Sequence, residues 1–121
     1  MEPKESSSFD LLLNSGIDFQ LLKNHGISPT YFGEKLVQSG LVMNDNLVWI
    51  CFAGSFDMAY LIKILMNEKM PSSRQQFQKY LDTFFPTLLD IKSFVRLKIY
   101  QDGGLGKIAD YLGVTREGIM H

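Results

Sequence analysis

The sequence predicts an α/β domain, rich in helix and with an incomplete sheet. Stretches of helical periodicity alternate with stretches that favour strand, the order expected of a sheet joined by helical crossovers. The run Leu47-Val48-Trp49-Ile50-Cys51-Phe52-Ala53 has no polar residue and is rich in β-favouring types, as a strand covered on both faces would be. At 121 residues, 45% of them apolar and 12% aromatic, the chain has material for one packed core and not for two.

Residues 1 to 8 read as a flexible lead-in and residues 9 to 121 as the folded part. Phe9, Leu12 and Leu13 fall at helical spacing, and Gly16 stops them. A second short helix, Phe19 to Lys23, closes at Asn24-His25-Gly26. Ser28-Pro29 then supplies an N-cap and a first-turn proline for a third, with Phe32, Leu36 and Val37 facing inward and Gly40 at its end. After the apolar strand, Gly54-Ser55 turns the chain into a helix from Phe56 to Lys69, apolar on nearly every side and therefore expected to be largely buried.

Beyond Met70-Pro71, Ser73 and Gln76 form a capping-box pattern, in which each side chain satisfies a backbone N–H orphaned at the helix start. Phe77, Tyr80, Leu81, Phe84 and Phe85 follow as one helical stripe, read as core and not as a base-stacking platform, and Pro86 ends it. Leu88-Leu89-Asp90-Ile91 is a short second strand. It leads through a helical Ser93 to Lys98 segment and the loop Gln101-Asp102-Gly103-Gly104 to a last helix lined by Leu105, Ile108, Ala109 and Leu112. A strand covered on both faces needs a neighbour on each edge, so further strands are expected, either near Leu41 to Met43 or outside these residues.

The 12 basic residues against 13 acidic leave a net charge of -1, so no polycationic surface for wrapping nucleic acid is expected. Cys51 is alone, which excludes an internal disulfide and multi-cysteine zinc motifs, and its apolar surroundings fit a reduced, buried thiol. The polar, acidic start has neither a signal peptide's apolar core nor a transit peptide's arginines, and the longest candidate span, Met58 to Met66, is short and broken by Lys63. A cytosolic or nuclear protein without a membrane segment is the expectation.

Asp57 stands just past the apolar strand, at the opening of the next helix. Ligands of open α/β sheets gather at the carboxyl ends of strands, where a carboxylate can hold a divalent cation, but an aspartate there can equally cap the helix through backbone N–H groups. Position alone leaves both open. His25 lies in a helix-ending turn and receives no chemical role; His121 is a general-base candidate with no visible partner. Gly103-Gly104-Leu105-Gly106-Lys107 lacks the spacing and the hydroxyl residue of a P-loop and reads as a glycine turn, and Asp90, flanked by apolar residues, reads as hydrogen-bonded structure.

Several segments in order share one likeness: Asn14-Ser15-Gly16-Ile17-Asp18-Phe19, Tyr31-Phe32, Ser39-Gly40-Leu41-Val42, Trp49-Ile50-Cys51-Phe52 and Phe56-Asp57-Met58-Ala59-Tyr60-Leu61-Ile62-Lys63. It continues through Phe84-Phe85-Pro86, Asp90-Ile91-Lys92, Gly103-Gly104-Leu105 and Arg116-Glu117-Gly118. The sequence resembles the Caf-one (Pop-two) deadenylases, the nuclease subunits of the Ccr-Not complex, and is most like their plant members. The resemblance implies part of an RNase H-like fold of the DEDD exonuclease superfamily. It also implies 3'-to-5' removal of poly(A) from messenger RNA, divalent Mg2+ or Mn2+ as cofactor, and a place in nucleus and cytoplasm. Its implied partners are poly(A) RNA, the Not scaffold and other Ccr-Not subunits. Carried over by position, Asp57 matches the family's second-motif metal-binding aspartate and His121 its third-motif histidine.

The departures weigh as much. No strand with an Asp-x-Glu first motif precedes Phe9, and the aspartate expected after His121 lies beyond the last residue, so a truncated chain, inactive alone, is the expectation. Ala53 stands where the family usually has histidine, Phe56 where it has tyrosine, and Met58-Ala59 where it has Phe-Gly. The alternative is a non-catalytic interaction module that binds the Not scaffold and competes with active deadenylase.

Overall fold

A computed structural model describes residues 3–94, 104–115 and 117–118. The chain divides into two units, Met1–Ile27 with Arg116–His121, and Ser28–Thr115. The first holds helix α1 (Pro3–Asn14) and helix α2 (Phe19–His25). Helix α1 begins at Pro3 and not at Phe9, so it takes in most of the expected lead-in; proline suits a first turn, whose N–H groups have no intrahelical acceptor anyway. It closes where the Ser15 hydroxyl donates to the Leu11 carbonyl at 2.7 Å and Gly16 takes a left-handed φ of +92°. Asp18 caps α2, accepting from the Leu21 N–H at 2.9 Å, and the Phe9 and Phe19 rings meet with centroids 5.2 Å apart.

The second unit runs α3 (Pro29–Gln38), β1 (Trp49–Cys51), α4 (Ser55–Met66), α5 (Arg74–Phe84), β2 (Leu88–Asp90), α6 (Ile91–Phe94) and α7 (Leu105–Tyr111). The expected capping chemistry is present. Ser28 accepts from the Tyr31 N–H at 3.1 Å with Pro29 as the first helical residue, and Ser73 accepts from the Gln76 N–H at 3.2 Å. Only that half of the capping box forms, because the Gln76 amide donates forward to the Tyr80 hydroxyl at 3.2 Å. Helix α4 stops at Met66, short of Lys69, because Asn67 adopts the left-handed conformation (φ 53°) and its N–H closes on the Lys63 carbonyl at 3.0 Å.

Strands β1 and β2 pair in parallel, Trp49 with Leu88 and Cys51 with Asp90, and the connection between them runs through α4 and α5. The core lies on one side of this pair. Leu36, Val42, Met58, Ile62 and Phe85 are buried there, with Trp49, Leu61, Leu65, Phe77, Tyr80, Leu81 and Phe84 packed around them, so the α5 stripe is core as expected. The Trp49 ring meets Phe85 edge-on at 5.0 Å, and its indole N–H donates to the Leu41 carbonyl at 2.8 Å.

Two expectations about burial fail. Strand β1 is covered on the Trp49 and Cys51 side only; Ile50, on the other, is 63% exposed. Helix α4 buries Met58 and Ile62 but leaves Phe56 81% and Tyr60 67% exposed. The first follows from the sheet: among the described residues it has two strands, so nothing described covers its far side. The Leu41 to Met43 region is a bend and not a hidden strand; Val42 plugs into the core from it, and the Met43 N–H donates to the Phe84 carbonyl at 2.8 Å. Residues 95–98 and 101–103 of the expected helix and loop lie outside the described residues. No described helix is long and apolar enough to cross a membrane.

Candidate functional site

The chemistry-bearing residues of the second unit gather where β1 turns into α4. Cys51 ends the strand, and Ala53 takes a left-handed φ of 48°, uncommon for a residue with a Cβ. The turn is then drawn tight: a Cβ on Gly54 would lie 2.7 Å from the Cys51 Cβ and 2.9 Å from its sulfur, so only glycine fits. Gly54 is the residue preceding α4, and its carbonyl accepts the first helical hydrogen bond, from the Met58 N–H at 2.9 Å.

Asp57 is therefore the third residue of α4 and not its cap, and no side chain caps this helix. Its carboxylate is exposed, lies in the first turn where the helix dipole favours negative charge, and comes within 3.9 Å of the place a Gly54 Cβ would occupy. Its neighbour Phe56 borders an open groove with Ala59, Tyr60, Lys63 and Met70.

Asp90 reaches the same turn from the end of β2. Its Oδ1 accepts from the Ala53 N–H at 2.8 Å and from the Lys92 N–H at 3.0 Å, and its Oδ2 from the Gly54 N–H at 3.2 Å. Partial burial works against its charged form, but the N–H groups of Ala53, Lys92 and Gly54 and the Cys51 thiol outweigh it and hold the carboxyl below its ordinary value. The Cys51 thiol is pushed up, first by burial and then by the Asp90 charge, with Asp57 adding a smaller push. The Lys92 ammonium sits 5.6 Å from the centre of the Phe52 ring.

Asp90 is thus hydrogen-bonded structure, as its apolar flanks suggested. What the sequence concealed is the turn it holds, because the pairing of Cys51 with Asp90 becomes visible only once the strand register is known. His121 lies outside the described residues. Among the described residues no group of three or more His, Cys, Asp or Glu is placed to hold a metal ion. Asp57 is exposed, and Asp90 commits its oxygens to backbone N–H groups, so the donors among the described residues do not fit a two-ion centre.

No family model matches the chain. It is 40% identical over 116 residues to the probable CCR4-associated factor 1 homolog 10 of Arabidopsis thaliana, covering 96% of this chain and 42% of that protein. It is 39% identical over 114 residues to the poly(A) ribonuclease pop2 of Schizosaccharomyces pombe, covering 94% of this chain and 34% of the relative. A solved S. pombe Pop2p in its Mg2+- and Mn2+-bound form superimposes with a TM-score of 0.85 at 38% identity, over 97% of this chain and 45% of the other. A yeast CAF1 co-crystallised with the NOT1 MIF4G domain matches with a TM-score of 0.76 at 32% identity, over 84% of this chain and 41% of the other. The chain spans between about a third and less than half of the length of these relatives.

Proposed function

We propose that this chain, a homologue of the CCR4-associated factor 1 and Pop2 proteins with part of their RNase H-like domain, serves poly(A)-specific 3'-to-5' exoribonuclease chemistry as a partial unit. The observation that carries the reading is the placement of Asp57: an exposed carboxylate at the carboxyl end of β1, in a chain whose fold matches a metal-bound Pop2p. In a complete centre Asp57 would be one ligand among several. Alone it neither fixes a pair of divalent ions nor positions a water, since each Mg2+ takes near-octahedral oxygen coordination from more than one donor.

The 121-residue polypeptide by itself is therefore expected not to shorten poly(A). A trimming assay on the purified chain with Mg2+ or Mn2+ tests this, and stepwise loss of adenosines that disappears in Asp57→Ala would overturn it. His121 is proposed as the general base only where such a centre is complete.

A second reading, a non-catalytic module that docks on a Not-type scaffold, draws on the matched CAF1 having been crystallised with a NOT1 domain, and on Ala53 standing where the resembled family has histidine. Retention of the chain on an immobilised MIF4G domain, undiminished by Asp57→Ala, is its expected result; no retention would dispose of it. By the same likeness we assign the protein to nucleus and cytoplasm, which imaging of a tagged chain checks.

A further inference from the structure

We propose that Asp90 is a positioning residue: from the end of β2 its carboxylate holds the left-handed turn after β1 and so fixes where α4, and Asp57 with it, begins. Three observations converge on this. Helix α4 lacks a side-chain cap of its own, so nothing inside the helix sets its starting point. The turn before it passes through Ala53 at φ 48°, a conformation of higher energy for alanine than for glycine, which persists only where the surroundings hold it. And the two N–H groups of that turn, Ala53 and Gly54, both donate to one carboxylate, 37 and 36 residues away in sequence.

The bonds are charge-assisted and nearly bidentate, and the carboxylate is itself anchored by the Lys92 N–H at 3.0 Å. The backbone carbonyl of Asp90 adds a further tie, accepting from the Ser93 hydroxyl at 2.6 Å, which fixes the start of α6 beneath it. One residue thus ties the end of β2 to the exit of β1. On the far side of the turn, a Cβ at Gly54 would collide with Cys51, so a larger residue there would disturb the same corner. Losing the carboxylate frees the Ala53 and Gly54 N–H groups together and lets Ala53 leave the left-handed region, so the first turn of α4 frays and Asp57 loses its fixed place. That this matters to phosphodiester chemistry rests on the function proposed above; that Asp90 fixes the turn does not.

The test is residue-resolved amide hydrogen exchange on the full chain, comparing the native sequence with Asp90→Asn, Asp57→Asn, Ala53→Gly and the Ala53→Gly/Asp90→Asn pair. Asp90→Asn keeps the shape and one acceptor, which guards against a variant that fails to fold. The expected result is at least a tenfold faster exchange at Gly54, whose N–H would face the asparagine NH2, and at Met58, whose N–H makes the first hydrogen bond of α4, with the α5 amides unchanged. In the Ala53→Gly background, where the left-handed turn carries no Cβ penalty, the same substitution should speed exchange in the first turn of α4 less. A merely structural aspartate would show no such rescue. Unchanged exchange at Gly54 and Met58, or acceleration spread evenly over α4 and α5, would overturn the proposal. Asp57→Asn should leave the turn's protection as it is, so a failure of Asp57 as a nuclease ligand and a failure of Asp90 as its anchor give different results.

Discussion

Asp57 and Asp90 are carboxylates at the same corner with opposite surroundings. Asp57 is exposed and holds no backbone group in place, whereas Asp90 is half-buried and accepts three backbone N–H bonds. The second arrangement has a consequence for acid stability. The folded-state pKa of Asp90 lies below its ordinary 3.8, so its stabilising contribution is complete above that value and disappears as pH falls through the lower folded value. Asp90→Asn should therefore lower the unfolding midpoint at neutral pH and flatten the loss of stability below about pH 4. Circular dichroism melts of both proteins from neutral pH to pH 2 check this; parallel acid limbs would contradict it. Asp57 announced itself in the sequence by standing just past an apolar strand, but its two readings could not be separated there, because capping depends on which residue is the last before the helix. That residue is Gly54, and the cap reading fails by three positions in the chain.

At the level of elements, α3 and α4 pack closely at one point. Gly33 is buried at it, and a Cβ there would come 2.9 Å from the Ile64 carbonyl oxygen and 3.3 Å from its Cγ2. Overpacking of this kind costs about 1–3 kcal/mol, against roughly 1 kcal/mol gained from alanine's better helix propensity. Gly33→Ala is expected to be destabilising by up to about 2 kcal/mol, read as a lower urea midpoint at unchanged slope; a raised midpoint would show that α3 and α4 are free to move apart. The starts of α3 and α5 were legible, since Ser28-Pro29 and Ser73 declare their caps in local chemistry that needs no partner from elsewhere, whereas α6 starts at Ile91 and not at the expected Ser93. Ends and burial were harder. The stop at Asn67 depends on a non-glycine residue taking the left-handed conformation, and the exposure of Ile50 depends on how many strands the sheet has, which no local pattern encodes.

For the molecule as a whole, the recurring fact is apolar surface on β1, its lead-in and α4 that the described residues leave bare: Val48, Ile50, Phe56 and Tyr60. A parallel pair of strands is ordinarily covered on both faces and flanked by further strands. The solved relatives match this chain over 41% to 45% of their own length, so those folds contain residues beyond the ones this chain supplies. Asp57 is proposed to occupy a nuclease ligand position, without the other ligands beside it among the described residues. The most direct test grafts this chain into S. pombe pop2 in place of the segment it matches and assays trimming of a poly(A) substrate. The chimera should shorten poly(A), and Asp57→Ala in the chimera should reduce trimming to background. Trimming that survives Asp57→Ala in an otherwise active chimera would contradict the claim.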